Sequence, residues 1–147
     1  MPPATEVIAR ALIVVDDHVV LARQVGRAWS FLPGGHVDPG EPVVAALGRE
    51  LAEELDVTIA AAEPIGVVEH AYQENGPRHE LNMIFSVQIS QPHGDLRSRE
   101  NHLEIHLVPL ADLPAVDLRP ARLKDALAQW ITTGAPFYRL LHTALVP

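Results

Sequence analysis

Apolar residues fall along this chain in short blocks whose spacing changes from one block to the next. Val7 to Val15 is almost continuously apolar, and Val19 to Ala22 repeats that character after Asp16-Asp17-His18. This predicts a buried strand, a tight turn and a second strand with Arg23 at its end. Gly26 to Trp29 reads as a loop, and Phe31-Leu32-Pro33 leads into the paired glycines Gly34 and Gly35. Helix formers dominate from Val43 to Leu55, and Pro42 suits a first helical position because its missing N–H would be unpaired there anyway. On that helix Val44, Leu47, Leu51 and Leu55 form one apolar stripe, with Glu50, Glu53 and Glu54 on an adjoining face.

Thr58 to Ala62 fits no single pattern, and Glu63-Pro64 punctuates it. Ile65 to Tyr72 and Leu81 to Ile89 read as strands around the turn Glu74-Asn75-Gly76-Pro77, an antiparallel hairpin. Pro92-His93-Gly94-Asp95 opens a polar loop reaching about Asn101, after which Leu103, Ile105 and Leu107 alternate with Glu104 and His106 as in a half-buried strand. Pro120 starts a second helix on which Leu123, Leu127 and Trp130 keep helical spacing and Gly134 is the stop, so Trp130 is expected in the core. Beyond Pro136 the pattern fits either a short helix or an extended tail. Its Phe137, Leu140, Leu141 and Leu145 would cover the chain's own sheet or a partner. Strands, helix, strands, helix is the order of an α/β fold with a mixed sheet covered by helices on its faces.

A length of 147 residues, 48% of them hydrophobic and 20% charged, fits one domain spanning residues 1–147. No cysteine is present, so disulfides and thiolate metal sites are excluded and a reducing cytoplasm is the expected location. The first apolar run is broken by Arg10 and ended by Asp16 and Asp17, unlike a secretory signal or a membrane span. A net charge of −8 argues against nucleic acid or an anionic membrane as partner, so a phosphorylated ligand would need local arginines or a bound cation. No Gly-Lys-Ser/Thr follows the glycines, which excludes a P-loop.

Three carboxylates at Glu50, Glu53 and Glu54 share one side of the helix and repel one another unless a cation lies between them. Spacing alone favours a solvated face with salt bridges to Arg49, since charge runs are usually surface. The Pro33-Gly34-Gly35 turn shifts that balance, because it lets backbone approach a ligand closely and offers carbonyl oxygens as hard donors. With no Cys or His in the cluster, the expected ion is Mg²⁺ or Mn²⁺ rather than zinc.

The run from Gly35 through Glu41 to Arg49-Glu50-Leu51-Ala52-Glu53-Glu54-Leu55-Asp56-Val57 resembles the signature of the Nudix hydrolases, the MutT-like enzymes, at every fixed position but one. Asp56 stands where that family usually has glycine. Asp tolerates a left-handed backbone better than most residues, so a modest stability cost and intact chemistry are expected there. The remainder of the chain agrees in layout, with Leu32-Pro33-Gly34-Gly35 ahead of the box and Val108-Pro109-Leu110-Ala111-Asp112-Leu113 after the last expected strand. The resemblance implies a Nudix-type α/β/α sandwich with a mixed sheet, an antiparallel hairpin and two main helices.

It also implies hydrolysis of a phosphoanhydride in a nucleoside diphosphate linked to another moiety, such as a nucleotide sugar, ADP-ribose, a dinucleoside polyphosphate or an NTP. By that resemblance Glu50 and Glu54 are principal metal ligands, Glu53 a further one, and the Gly34 carbonyl a backbone donor. Arg49 orients the carboxylates, Glu41 holds Arg49 or the loop, and Gly35 is part of the structural frame. Glu50 is favoured as general base, with Glu100 as the alternative and Glu104 a weaker candidate. Arg23, Trp29, Arg78 and Tyr72 are the candidate substrate contacts, although a strand-end arginine such as Arg23 is more often just solvated and a core strand aromatic is the better reading of Tyr72. The eight histidines are scattered singly and are taken as structural or exposed. A Nudix-fold sensor that binds a nucleotide without cleaving it is the competing function, but it has no need of all three glutamates. Relatives are often homodimers, and nothing in the composition marks an interface.

Overall fold

The computed structural model describes residues 4–90 and 96–141. The opening of the expected polar loop, Pro92 to Asp95, and the terminal apolar residues Leu145 and Val146 lie outside the described residues. Strand β1 (Glu6–Val15) turns into β2 (His18–Gln24), and a short β3 (Gly34–His36) precedes helix α1 (Val43–Leu55). A long hairpin follows, β4 (Ile59–Gln73) and β5 (Pro77–Ile89), then β6 (Leu103–Pro109) and a 3-10 turn at Leu110–Ala115. Helix α2 (Arg122–Thr133) and β7 (Phe137–Arg139) complete the order.

The strands form one mixed seven-stranded sheet in the order β6-β2-β1-β5-β4-β7, with β3 also on β1. Pairing of Val15 with His18 leaves Asp16 and Asp17 as a two-residue turn, with φ of 49° and 61°. Two positive φ values in succession are the mirror-image turn that matches strand twist, and Asp tolerates them. Strand β1 has a divided edge: Ile8 to Arg10 pair with β3, whereas Val14 and Val15 pair with β2. Its other edge runs parallel to β5 from Glu6 to Ile13.

Both faces of β1 are covered, which is why its sequence from Val7 to Val15 is apolar but for Arg10. Ala9, Ala11 and Ile13 pack with Leu47, Leu51 and Leu55 of α1. Leu12, on the opposite face, packs with Leu123 and Leu127 of α2, and Trp130 joins that cluster half-buried. The expected α/β/α sandwich is therefore the observed fold. Among the described residues no helix is long and apolar enough to cross a membrane.

Several local expectations need correction. Pro42 is the cap residue rather than the first helical one, with φ −60° and ψ 139°. Val44, assigned to the apolar stripe, is 48% exposed because the buried side of the first turn of α1 is formed by Val43 and Ala46 instead. Pro64 does not end a segment: β4 runs continuously from Ile59, with a register shift between Pro64 and Gly66. Strand β7 joins β4 only from Gly66 onward, so Pro64 lies where that edge asks for no N–H donor. After Pro136 the chain is extended over Phe137–Arg139, and Phe137 is fully buried against Gly66, where a Cβ would strike the Phe137 ring.

Candidate active site

The paired glycines and α1 interlock. Gly34 has φ 141°, and a Cβ there would collide with the Ala9 carbonyl on β1. A Cβ on Gly35 would instead collide with the Glu50 carboxylate. Two adjacent positions thus demand glycine for different reasons, one to fit the sheet and one to admit an acid. The Gly34 N–H donates to Oε2 of Glu54 at 3.1 Å, which ties the turn to the far end of the helix.

Arg49 organises the front of the site. Its Nε and Nη2 bind the two oxygens of Glu41 at 3.0 and 2.9 Å, a bidentate pairing. Nη1 donates to Glu50 Oε1 at 2.9 Å, and Nη2 also reaches the His36 carbonyl at 3.0 Å. These bonds hold the arginine well above its ordinary pKa, first through Glu41 and then Glu50, and they lower that of Glu41. Glu41 also accepts the Asp38 N–H, fixing the loop that enters the helix. These contacts bring Arg49 against both Glu41 and Glu50, and join Glu41 to the loop ahead of the helix.

Glu54 is 5% exposed, the deepest acid of the helix. It lies on the buried face of α1 rather than beside it, a correction to the simple stripe. Burial pushes its carboxyl up to about 7, against the opposing pull of the Gly34 N–H and of Arg10, while Glu50 and Glu100 add to the rise. Glu100 arrives through the backbone: the Arg99 N–H donates to the Glu54 carbonyl at 2.8 Å, and Ser98 Oγ bonds both the N–H and the carbonyl of Glu100. Glu53 is placed differently, with a half-exposed carboxylate 3.7 Å from Arg49. Among the described residues no three Asp, Glu or His side chains converge into a ready-made metal cage. The expected trio of Glu50, Glu53 and Glu54 is therefore not gathered around one point. The chemistry of the donor set still fits a hard divalent cation, because Glu50, Glu54 and Glu100 face a shared space and offer only oxygen.

That space is a cavity of about 750 Å³, within the range of pockets that enclose a nucleotide-sized ligand. It opens where β2 leaves β1 and β3 takes over the edge. Glu50, Glu54, Gly34 and Gly35 line its base, and Trp29, Phe31, Glu100 and His102 line the side next to β2 and β6. The opposite wall is made by His70 and Tyr72 of β4 with Glu80 and Asn82 of β5. Tyr72 is thus a cavity residue rather than a core aromatic. Its hydroxyl donates to Glu80 at 3.0 Å, its ring stacks on His70 at 4.9 Å, and burial with Glu80 pushes its pKa up to about 12.

Arg23 and Arg78 do not line the cavity. Arg23 pairs with Glu104 at 3.0 Å across β2 and β6, and Arg78 pairs with Glu6 at 2.6 Å. Three histidines, His36, His70 and His102, reach its lining; His36 and His102 are exposed, as expected, and His70 is half-buried. Sequence reasoning also passed over Arg10, Glu80 and Asn82. The signal for Arg10 was present, a charge inside an otherwise apolar strand.

A NUDIX domain model matches residues 5–131. Among solved structures, the MutT NUDIX hydrolase from Burkholderia pseudomallei is 30% identical, with 83% of this chain and 96% of that one covered and a TM-score of 0.70. The mutator MutT protein from Bacillus halodurans is 17% identical, with 90% and 86% covered and a TM-score of 0.75, a likeness of fold. No curated protein sequence matches the chain at a significant level. The sheet, the two covering helices and the acid-bearing turn and helix thus define an enzyme of the pyrophosphohydrolase class. The chain belongs to the Nudix family.

Proposed function

We propose that this protein is a Mg²⁺- or Mn²⁺-dependent hydrolase of a nucleoside diphosphate linked to another moiety, cleaving the phosphoanhydride by attack of water at phosphorus. The observation that carries this reading is Glu54, a buried carboxylate seated on the Gly34 N–H and facing the cavity beside Glu50 and Glu100. Glu50, Glu54 and the Gly34 carbonyl would hold the cation, with Glu53 reaching it by turning away from Arg49. A divalent ion bound there neutralises the diphosphate and makes water more acidic. Arg49 keeps Glu50 aimed at the cavity, and Glu50 takes the proton from the attacking water, with Glu100 as the competing acceptor. Trp29 and Tyr72 supply apolar walls for the organic part of the substrate.

The test is hydrolysis of a panel of nucleotide sugars, ADP-ribose, dinucleoside polyphosphates and (d)NTPs with Mg²⁺. Release of a nucleoside monophosphate from at least one of them is expected, and Glu54→Gln should lower kcat by about 100-fold or more, the usual cost of removing one transition-state contact. An unimpaired Glu54→Gln enzyme would refute the ligand assignment. If wild type binds members of the panel tightly and cleaves none, the protein is a nucleotide sensor.

A further inference from the structure

The cavity is lined by Glu50, Glu54, Glu74, Glu80 and Glu100, in a chain whose net charge is −8. An anionic substrate entering it meets repulsion from every side unless a cation faces it. Of the arginines that reach the lining, Arg119 is already held by both oxygens of Asp117, at 3.0 and 3.2 Å, and lies over the Trp29 ring. Arg27 is exposed at the rim. Arg10 is different. It projects from the middle of β1 and is half-buried, with its remaining surface toward the cavity. Among the described residues it forms no ion pair.

Its position is fixed from behind. Nη1 donates to the Leu32 carbonyl at 3.2 Å, and the guanidinium lies 5.3 Å from the centre of the Phe31 ring. Both contacts come from the segment that leads into the paired glycines. Glu54 and Glu50 on one side and Glu80 on the other act on it through space, without touching it. A guanidinium has five donors in a planar fork, and one bond to Leu32 leaves most of that fork for a ligand. Keeping such a group desolvated without a partner is costly, so its burial is accounted for if an anion completes it.

We propose that Arg10 holds the non-bridging oxygens of the phosphate next to the one seated at Glu50 and Glu54. It is a positioning residue that makes the site select a diphosphate over a monophosphate. This rests on the functional reading above and names the group that recognises the second phosphate. It differs from the sequence expectation, which looked to Arg23 and Arg78 for that charge.

The experiment is calorimetric titration of the full chain, with Ca²⁺ present, using an α,β-methylene nucleoside diphosphate and the corresponding monophosphate. Because neither probe is hydrolysed, turnover does not enter. Wild type should prefer the diphosphate, and Arg10→Gln should lose about tenfold or more of that preference, as expected for a charge-assisted bond, with monophosphate affinity little changed. Arg10→Lys, which keeps the charge but not the fork, should recover part of the preference and guards against a variant that fails to fold. In turnover, Arg10→Lys should raise KM more than it lowers kcat. Equal preference in wild type and both variants overturns the assignment while leaving the proposed function intact. A wild type that binds neither probe overturns the functional reading, and this inference with it.

Discussion

Burial is the main influence on the ionisation of Glu54. Its carboxyl ionises near 7 in the folded state and near 4.5 when unfolded, so the folded protein holds a proton that the unfolded chain has released. Stability from this source is full below pH 4.5 and is lost as pH rises through 7. Without divalent metal, wild type should lose on the order of 3 kcal/mol relative to Glu54→Gln between pH 5 and pH 8. Urea unfolding of both proteins in a chelator would measure it, and parallel curves would show that burial does not load this acid. Gly35→Ala tests the neighbouring contact: the added methyl must displace Glu50, so activity should fall by about 10-fold or more while the fold persists. Gly34→Ala, which meets main chain at φ 141°, should cost stability itself, on the order of 2 kcal/mol or more by thermal unfolding. The acids of the helix were legible because helical spacing places Glu50 and Glu54 together whatever lies around them. Arg10 stood out only as a charge in an apolar strand, and its meeting with Glu80 and Asn82 was not legible, because the parallel pairing of β1 with β5 joins residues some seventy positions apart. Alternation tells which residues share a face of one strand and is silent about which strands adjoin.

Helix α1 ends on a left-handed Asp56, with φ 56° and ψ 43° and its N–H on the Ala52 carbonyl at 3.0 Å. This is the cap conformation that glycine adopts without penalty, and the position is the one departure from the family pattern. The only ion pair seen at its side chain among the described residues is an exposed one with Arg99 at 3.8 Å, too long and too solvated to offset much. Asp56→Gly should therefore raise stability by up to about 1 kcal/mol and leave kcat unchanged, readable by denaturant unfolding beside an activity assay. An unchanged or lowered midpoint would mean that the aspartate bonds elsewhere. Turns with positive φ at Asp16, Asp17, Asn75 and Gly134 were readable from residue type alone. The continuity of β4 through Pro64 was not, since it depends on where β7 begins, and that is a property of the assembled sheet.

Across the molecule, the family match stops at residue 131, whereas the sheet continues to Arg139. Phe137 is among the largest fully buried side chains and packs with Ile65, Leu123 and Leu127, closing the face that α2 covers. Phe137→Ala should lower stability by about 3–5 kcal/mol, the range for removing a buried aromatic, and a chain cut after Gly134 should do no better. Thermal unfolding decides it, and a midpoint shift of a degree or less would mean that the last strand is dispensable. The ambiguity of this segment in sequence is physical: three residues are too few to show a period, and their environment is made by β4.

The divided edge of β1 has a practical consequence. The base of the site is built on β3 and α1, while much of the nearer wall comes from residues 24–31 and from His102 and Leu103, which lie on the far side of that division. A mutational library confined to those two stretches can reshape the mouth of the cavity while every hydrogen bond of the Arg49 network stays in place. Libraries at Trp29 and His102 should therefore change substrate preference before they change the rate on the best substrate, which kcat and KM measured across the panel would check.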